Sequence, residues 1–193
     1  MNAFILASQS PRRKQLLAWA DLSFEVIVSE ADETYPKEMA VEEVPVHIAK
    51  HKALAVQEKI EKELTAHQGK WIIAADTIVV LENEIIGKPV DREDAIKILT
   101  QLSGKKHRVI TGVYLIKGQE SQSFSETTTV HFHPLTMDQI VYYVDQYQPY
   151  DKAGAYGIQD WIGVVGIQGI EGDFYNVMGL PVSKLLTYLP TTK

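Results

Sequence analysis

Cysteine is absent from this 193-residue chain, which removes a disulfide framework, a thiolate zinc site and a cysteine nucleophile together. That composition is compatible with a reducing, intracellular compartment. Long apolar runs are also missing. No stretch approaches the roughly 20 residues of a membrane span. The apolar run inside MNAFILASQSPRR is far too short for a signal-peptide core, and its charges follow it rather than precede it. Positive charge is in deficit, with a formal net charge of −6, which argues against broad binding to nucleic acid or anionic lipid. A local Arg/Lys cluster could still hold a small anion. Neither G-x-x-x-x-G-K-[ST] nor G-x-G-x-x-G occurs, so P-loop and dinucleotide-binding readings lose support. No repeat, low-complexity tract or linker divides the chain.

What is present is an apolar content of 45%, enough to bury a substantial core without disulfides or oligomerisation. A single domain over residues 1–193 is therefore expected. The chain is organised around Trp71 to Asp91, WIIAADTIVVLENEIIGKPVD, where two nearly continuous apolar runs flank one carboxylate, Asp76. Such runs read as a strand buried on both faces, in which an ionised Asp costs several kcal/mol unless it is paired or binds a metal. Further on, Gly87-Lys88-Pro89 sets a cation in a turn. A carboxylate and an ammonium are thus presented close together, and Asp76 and Lys88 are the pair to be explained.

Residues Ala3 to Ala7 read as a short buried strand. After Ser8-Gln9-Ser10-Pro11 comes an amphipathic run from Arg12 to Trp19, with Ser10 as N-cap and Pro11 in the first helical position. Arg12, Arg13 and Lys14 in that first turn oppose the helix dipole. Either an anion resolves the conflict, with backbone N–H groups, hydroxyls and guanidiniums converging on it, or the helix face is basic and solvated. Phe24 to Val28 alternates like a strand, and the acidic SEADET after it, with Glu30, Asp32 and Glu33, is either solvated surface or a carboxylate arm for a divalent cation. Val44 to Leu64 is a helix with Ala49, Ala53, Val56, Ile60 and Leu64 on its apolar stripe. Lys52 lies at the edge of that stripe, where it either snorkels to solvent or points into a cleft.

Asp91 caps a helix that runs to Leu102, carries Ile96, Leu99 and Leu102 on one face and stops at Ser103-Gly104. Arg108 to Ile116 and Ser123 to His133 form a hairpin through Lys117-Gly118-Gln119. His131 and His133 share a strand face at a spacing found in metal sites, but Pro134 and the polar neighbours favour an exposed edge strand. Thr136 caps a helix from Met137 to Tyr147. The segment DKAGAYGIQDWIGVVGIQGIEGDFYNVMGLP then gathers most of the glycines among aromatic and aliphatic residues, as a backbone needs when it turns closely around something. Gln159 lies inside it, and Leu180 to Leu189 reads as a closing helix. Helix–strand alternation followed by a hairpin predicts an α/β fold: a three-layer α/β/α arrangement with a mixed, strongly twisted sheet.

Taken together and in order, ASQSPRRKQLL, AADTIVVLENEIIGKPVD, LSGKKHRVITGV, and DKAGAYGIQ with GDFYNVMGLP resemble the Maf family of nucleotide pyrophosphatases over residues 3 to 189. The resemblance implies a cleft between two lobes, a homodimer and a cytoplasmic location; the charge balance and the lack of spans add the expectation of no nucleic-acid or membrane partner. It also implies a hydrolase that splits a nucleoside triphosphate between its α- and β-phosphates with a divalent metal, Mg²⁺ or Mn²⁺. By position, Ser8, Arg12 and Arg13 would contact phosphate or another part of the substrate. Glu33 and Lys52 would lie in the cleft, and Asp76 would be the catalytic acidic residue, a strand-end carboxylate with Lys88 opposite. Thr77, Lys88 and Gln159 would contact substrate, and Glu33 and Asp76 would share the metal. Whether Asp76 takes a proton or mainly holds the metal stays open.

Gln159 beside Arg12 and Thr77 resembles the subgroup acting on dTTP and UTP. Its amide offers an acceptor and a donor that match N3–H and a carbonyl of uracil or thymine, although a flipped amide suits cytosine equally well. Trp161, after Gln159-Asp160, replaces a glycine-rich continuation expected of the family. Two other functions fit the same residues: a non-catalytic nucleotide-binding regulator linked to cell division, and a pyrophosphatase directed at damaged purine nucleotides.

Overall fold

The computed structural model describes residues 4–189; Ala3, at the start of the first expected strand, lies outside them. In chain order the elements are β1 (Phe4–Leu6), α1 (Pro11–Trp19), β2 (Phe24–Val26), α2 (Val44–Glu63), β3 (Ile72–Leu81), β4 (Glu84–Ile86), α3 (Arg92–Leu102), β5 (Lys106–Lys117), β6 (Glu120–Phe132), α4 (Met137–Tyr147), α5 (Trp161–Gly166), β7 (Ile167–Glu171), α6 (Phe174–Met178) and α7 (Val182–Tyr188). The seven strands form one mixed sheet in the order β2-β1-β3-β5-β6-β7, with β4 paired to β3. β1 runs parallel to both β2 and β3, while the β3–β4 and β6–β7 pairs are antiparallel. The mixed α/β class read from the sequence is the one found.

The chain divides into two compact units. The first comprises residues 4–76, 111–126 and 179–189, and the second residues 77–110 and 127–178. In the first unit, the apolar stripe of α2 supplies Ala53, Val56 and Ile60 to a core shared with Ile5 and Ala7 from the first strand and its end, Ile72 and Ala74 of β3, and Ile116 of β5. Burying each of the large aliphatic side chains contributes about 1.5–3 kcal/mol. Gly112 of β5 lets the strand touch the start of α2, since a Cβ there would lie 2.2 Å from the Val46 nitrogen and 2.3 Å from the Pro45 carbonyl carbon. Only a residue without a side chain permits that approach.

The second unit packs His107, Phe132 and Tyr156 edge to face, with ring centroids 5.0–5.4 Å apart. His107 Nε2 and the Tyr156 hydroxyl share a hydrogen bond of 2.7 Å, and burial pushes the imidazole down to a pKa of about 4. It is therefore neutral in the folded chain. Helix α4 begins with a reciprocal capping box, the Thr136 side chain taking the Gln139 N–H and the Gln139 side chain taking the Thr136 N–H. It is tied to α3 by a forked Arg92–Asp145 pair at 2.6 and 3.0 Å.

Several sequence expectations need correction. β2 stops at Val26, two residues short. On α3 the core side is Ala95, Ile98, Leu99 and Leu102, so Ile96 sits at the rim because the apolar arc is centred one residue further round. β6 is not an edge strand, for β7 pairs with it from Thr129 to Phe132. His131 pairs with Gly169 in register and reaches diagonally to Glu171, Nε2 to Oε1 2.9 Å, and His133 is exposed. The glycine-rich segment contains α5, β7 and α6, all too short to leave a periodic trace. The closing helix is Val182–Tyr188 rather than Leu180–Leu189. A two-residue turn between β3 and β4 was not foreseen; it places Glu82 and Asn83 at φ 51° and 71°, the left-handed pair a type I′ hairpin requires.

Candidate active site

Asp76 is the fifth residue of the ten-residue strand β3, not a strand-end residue. Ile72 to Ala75 before it and Ile78 to Leu81 after it are buried, and only Asp76 and Thr77 are partly open. The apolar flanks hold the carboxylate rigidly where water has limited access. Its cationic partner within the first unit is Lys52: Lys52 Nζ donates to Asp76 Oδ1 at 2.7 Å and lies 3.0 Å from Glu33 Oε1. The ammonium reaches there from the edge of α2's apolar stripe, and the Lys52 and Asp76 side chains are only 20% and 15% exposed. The inward reading of Lys52 thus replaces the snorkelling one.

Glu33 belongs to an irregular segment after β2. Two anchors fix that segment against α2: Lys59 Nζ donates to the Val28 carbonyl at 3.0 Å, and the His51 ring contacts the Asp32 carbonyl at 3.3 Å. Asp32 also folds back to take the Thr34 N–H at 2.9 Å, the local turn that Asp favours, and this bond holds its carboxyl below the ordinary range. Its neighbour Glu33 thereby projects towards Lys52.

The turn after β1 makes the other half of the cluster in the first unit. Ser8 is buried, and its Oγ accepts from the Ser10 N–H and from Arg13 Nη1, both at 3.2 Å. Ser10 is the N-cap of α1, taking the Arg13 N–H, with Pro11 behind it as expected. Arg13 also donates from Nε to the Gly179 carbonyl at 2.8 Å. Burial pushes its guanidinium below the ordinary value, with Asp76 opposing that shift, Arg12 adding to it and Glu33 opposing it. Arg12, Arg13 and Lys52 therefore outnumber Glu33 and Asp76 in one electrostatic neighbourhood, which favours an anionic ligand. The first turn of α1 holds no acidic side chain, so its N–H dipoles add to that field.

The remaining expected residues belong to the second unit. Thr77 follows Asp76 directly in β3. Lys88 is exposed in the turn after β4, a turn secured by the Gly154 N–H bond to the Gly87 carbonyl at 3.0 Å. Gln159 is exposed between the short 153–155 turn and α5, and its Nε2 donates to Asp160 Oδ1 at 3.2 Å.

Asn176 went unnoticed in the sequence. It is fully buried and donates from Nδ2 to the Val109 carbonyl and to Thr128 Oγ1, both at 3.0 Å. Its place in GDFYNVMGLP was the only signal, and a buried amide in such a string has no periodicity to betray it.

Glu33 and Asp76 converge on a single cationic point, the Lys52 ammonium. Two carboxylates are hard oxygen donors of the kind Mg²⁺ takes, and here the point they share is held by the Lys52 ammonium. Among the described residues, no group of three or more His, Asp or Glu is gathered to hold an ion by protein ligands alone, and the His131/His133 pair is not part of one. No helix among these residues is long and apolar enough to cross a membrane.

The sheet and this clamped carboxylate pair define a mixed α/β protein with a charged cluster suited to an anion. More specifically, the chain belongs to the Maf family, whose model, described as Maf-like protein, matches residues 3–192. A Bacteroides fragilis relative named dTTP/UTP pyrophosphatase is 48% identical over 182 residues, 94% of this chain and 91% of the relative. A Cytophaga hutchinsonii protein of the same name is 48% identical over 185 residues, covering 96% and 82%, and one from Porphyromonas gingivalis is 45% identical over 186 residues, covering 96% and 92%.

Proposed function

We propose that this protein hydrolyses nucleoside triphosphates, dTTP and UTP foremost, between the α- and β-phosphates to give the nucleoside monophosphate and pyrophosphate. The names of the relatives support the reaction class and the substrate. The observation that carries the chemistry is the Lys52 ammonium held at 2.7 Å from Asp76 and 3.0 Å from Glu33, beside the basic start of α1.

In this reading a water oxygen attacks the α-phosphorus, the bond from that phosphorus to the bridging oxygen breaks, and pyrophosphate leaves with the bond's electron pair. Asp76 accepts the water's proton on Oδ2, because Lys52 already holds Oδ1. Lys52, Arg12 and Lys88 offset charge that grows on the phosphate oxygens. Arg13 has two of its donors committed to Ser8 and Gly179, so it contributes a fixed positive field and shapes the turn. Ser8 orders that turn. Glu33 and Asp76 would hold Mg²⁺ or Mn²⁺, which when bound supplies Lewis acidity towards phosphate oxygens and water. Thr77 and Gln159 would orient the nucleoside, Gln159 by pairing with the base edge.

Pyrophosphate release from equal concentrations of dTTP, UTP, CTP and GTP, with and without Mg²⁺, tests this. Asp76→Asn is expected to lower turnover of dTTP by about 10²-fold or more, the scale on which a positioned general base acts. Turnover near the wild-type value would remove Asp76 from that role, and a preference for GTP would overturn the pyrimidine assignment.

A further inference from the structure

Gln159 can discriminate uracil from cytosine only if its amide is prevented from flipping. Uracil and thymine present a donor, N3–H, flanked by two carbonyl acceptors, whereas cytosine presents an acceptor at N3 beside the N4 amino donor. An amide that rotates freely about its last torsion matches either edge.

Three observations show that it is not free. The Gln159 Nε2 group faces Asp160 Oδ1 at 3.2 Å; a carboxylate only accepts, so the NH₂ must point there and Oε1 must point away. The other Asp160 oxygen, Oδ2, accepts from the Tyr143 hydroxyl at 2.7 Å, and that hydroxyl in turn accepts the Gly157 N–H at 3.0 Å. Tyr143 is fully buried and stacked on Tyr147 at 5.0 Å, so the post to which Asp160 is tied does not move. Burial first, and Asp160 second, raise the Tyr143 phenol above its ordinary range, which keeps it the donor.

Asp160 also forgoes its usual employment. It occupies the N-cap of α5, where an aspartate ordinarily bonds the first-turn N–H groups, yet its side chain makes no capping bond. Both oxygens go to Tyr143 and Gln159 instead. Gly157 leaves room for this arrangement, since a Cβ there would lie 2.6 Å from Asp160 Oδ2 and 2.8 Å from Gln159 Nε2.

We infer that Asp160, anchored by Tyr143 and given space by Gly157, is a positioning residue that locks the Gln159 amide with its oxygen outward and so sets selection of uracil and thymine over cytosine. This rests on the base-reading role proposed above for Gln159. With that oxygen opposite position 3 of the base, it receives N3–H of uracil or thymine and meets the N3 lone pair of cytosine, while the Nε2 hydrogen that Asp160 does not take meets a carbonyl in the first two and the N4 amino group in the third.

The experiment measures kcat/KM for UTP and CTP in the wild type and in Asp160→Asn, Tyr143→Phe and Gln159→Ala, each first checked for cooperative thermal unfolding. Asparagine at 160 can face either end of the Gln159 amide, so the UTP/CTP ratio is expected to fall about tenfold, the worth of one recognition hydrogen bond. The change should sit mainly in KM, with kcat for UTP within about threefold. If Asp160→Asn does not fold, Tyr143→Phe, which keeps the ring packing, must lower the ratio in the same direction. Asp160→Glu, which keeps an acceptor-only group, should retain more selectivity than Asp160→Asn. An unchanged ratio in both Asp160→Asn and Tyr143→Phe, with Gln159→Ala still altering it, overturns the lock while leaving the role of Gln159 intact. An unchanged ratio in Gln159→Ala overturns both.

Discussion

Replacing Lys52 by methionine keeps most of the side chain's bulk and removes its charge, leaving Asp76 and Glu33 facing each other without a cation. The cost follows from burial. A fully buried pair broken on one side costs about 3–5 kcal/mol, and an exposed pair below about 1 kcal/mol. The Lys52–Asp76 side chains are 20% and 15% exposed and Glu33 is 59% exposed, so the first contact lies towards the buried end and the second near the surface limit. A loss of about 2–3 kcal/mol is expected, which lowers Tm by roughly 5–10 °C at about 2–4 °C per kcal/mol for a chain of this size. Asp76→Asn alone should cost about 1 kcal/mol, since an amide oxygen still accepts from Lys52. The double variant Lys52→Met/Asp76→Asn removes the ammonium and one of the two opposed carboxylates, so its loss should fall short of the sum by about 1–2 kcal/mol. Urea or thermal unfolding of the four proteins closes the cycle. Additivity within about 0.5 kcal/mol would refute the coupling, and with it the picture of Lys52 as the keystone of the carboxylate pair. Pyrophosphate release by the single Lys52→Met variant should fall by about 10²-fold, as expected when a charge facing a developing anion is lost.

Two further outcomes are expected. Gly112→Ala places a methyl group against the backbone of Pro45 and Val46, which no rotamer change relieves, so it should cost about 3 kcal/mol or more and be seen as a large drop in urea midpoint; a loss below about 1 kcal/mol would show that the strand and helix separate easily. His107 has its pKa lowered from 6.5 to about 4, so between those values the unfolded chain binds more protons than the folded one. Its contribution is complete above pH 6.5 and is lost as pH falls towards 4, up to about 3 kcal/mol, and His107→Gln should remove that part of the acid slope in unfolding measurements.

Regular, periodic features were legible in the sequence. The stripe on α2, the Ser10-Pro11 start of α1, the Asp91 and Thr136 caps and the Gly118 hairpin all signal through local chemistry that burial does not have to reveal. The anomalous charge at Asp76 was legible for the same reason, because nothing but a partner explains a carboxylate between two buried runs. The identity of the partner was not. Lys52 and Lys88 are equally plausible lysines in one dimension, and only the packing of α2 on β3 selects Lys52. β7 escaped detection because IQGIE is five residues long with a glycine at its centre, and its strand character comes from pairing with Thr129 to Phe132. Arg13 looked like a free phosphate clamp next to Arg12, yet its tie to Gly179 depends on a residue 166 positions away.

That tie bears on the order in which the molecule can be made. The second unit closes at Met178, whereas the first needs residues from 179 onward to complete it. At roughly 5–20 residues per second, the ribosome takes on the order of ten to thirty seconds between delivering Arg13 and delivering Gly179. For that interval the nascent chain holds a buried-type helix, α2, whose unit is still short of its last segment. The portion synthesised first is therefore the portion finished last, and the apolar surface of the first unit stays open to the surroundings until its last segment is delivered.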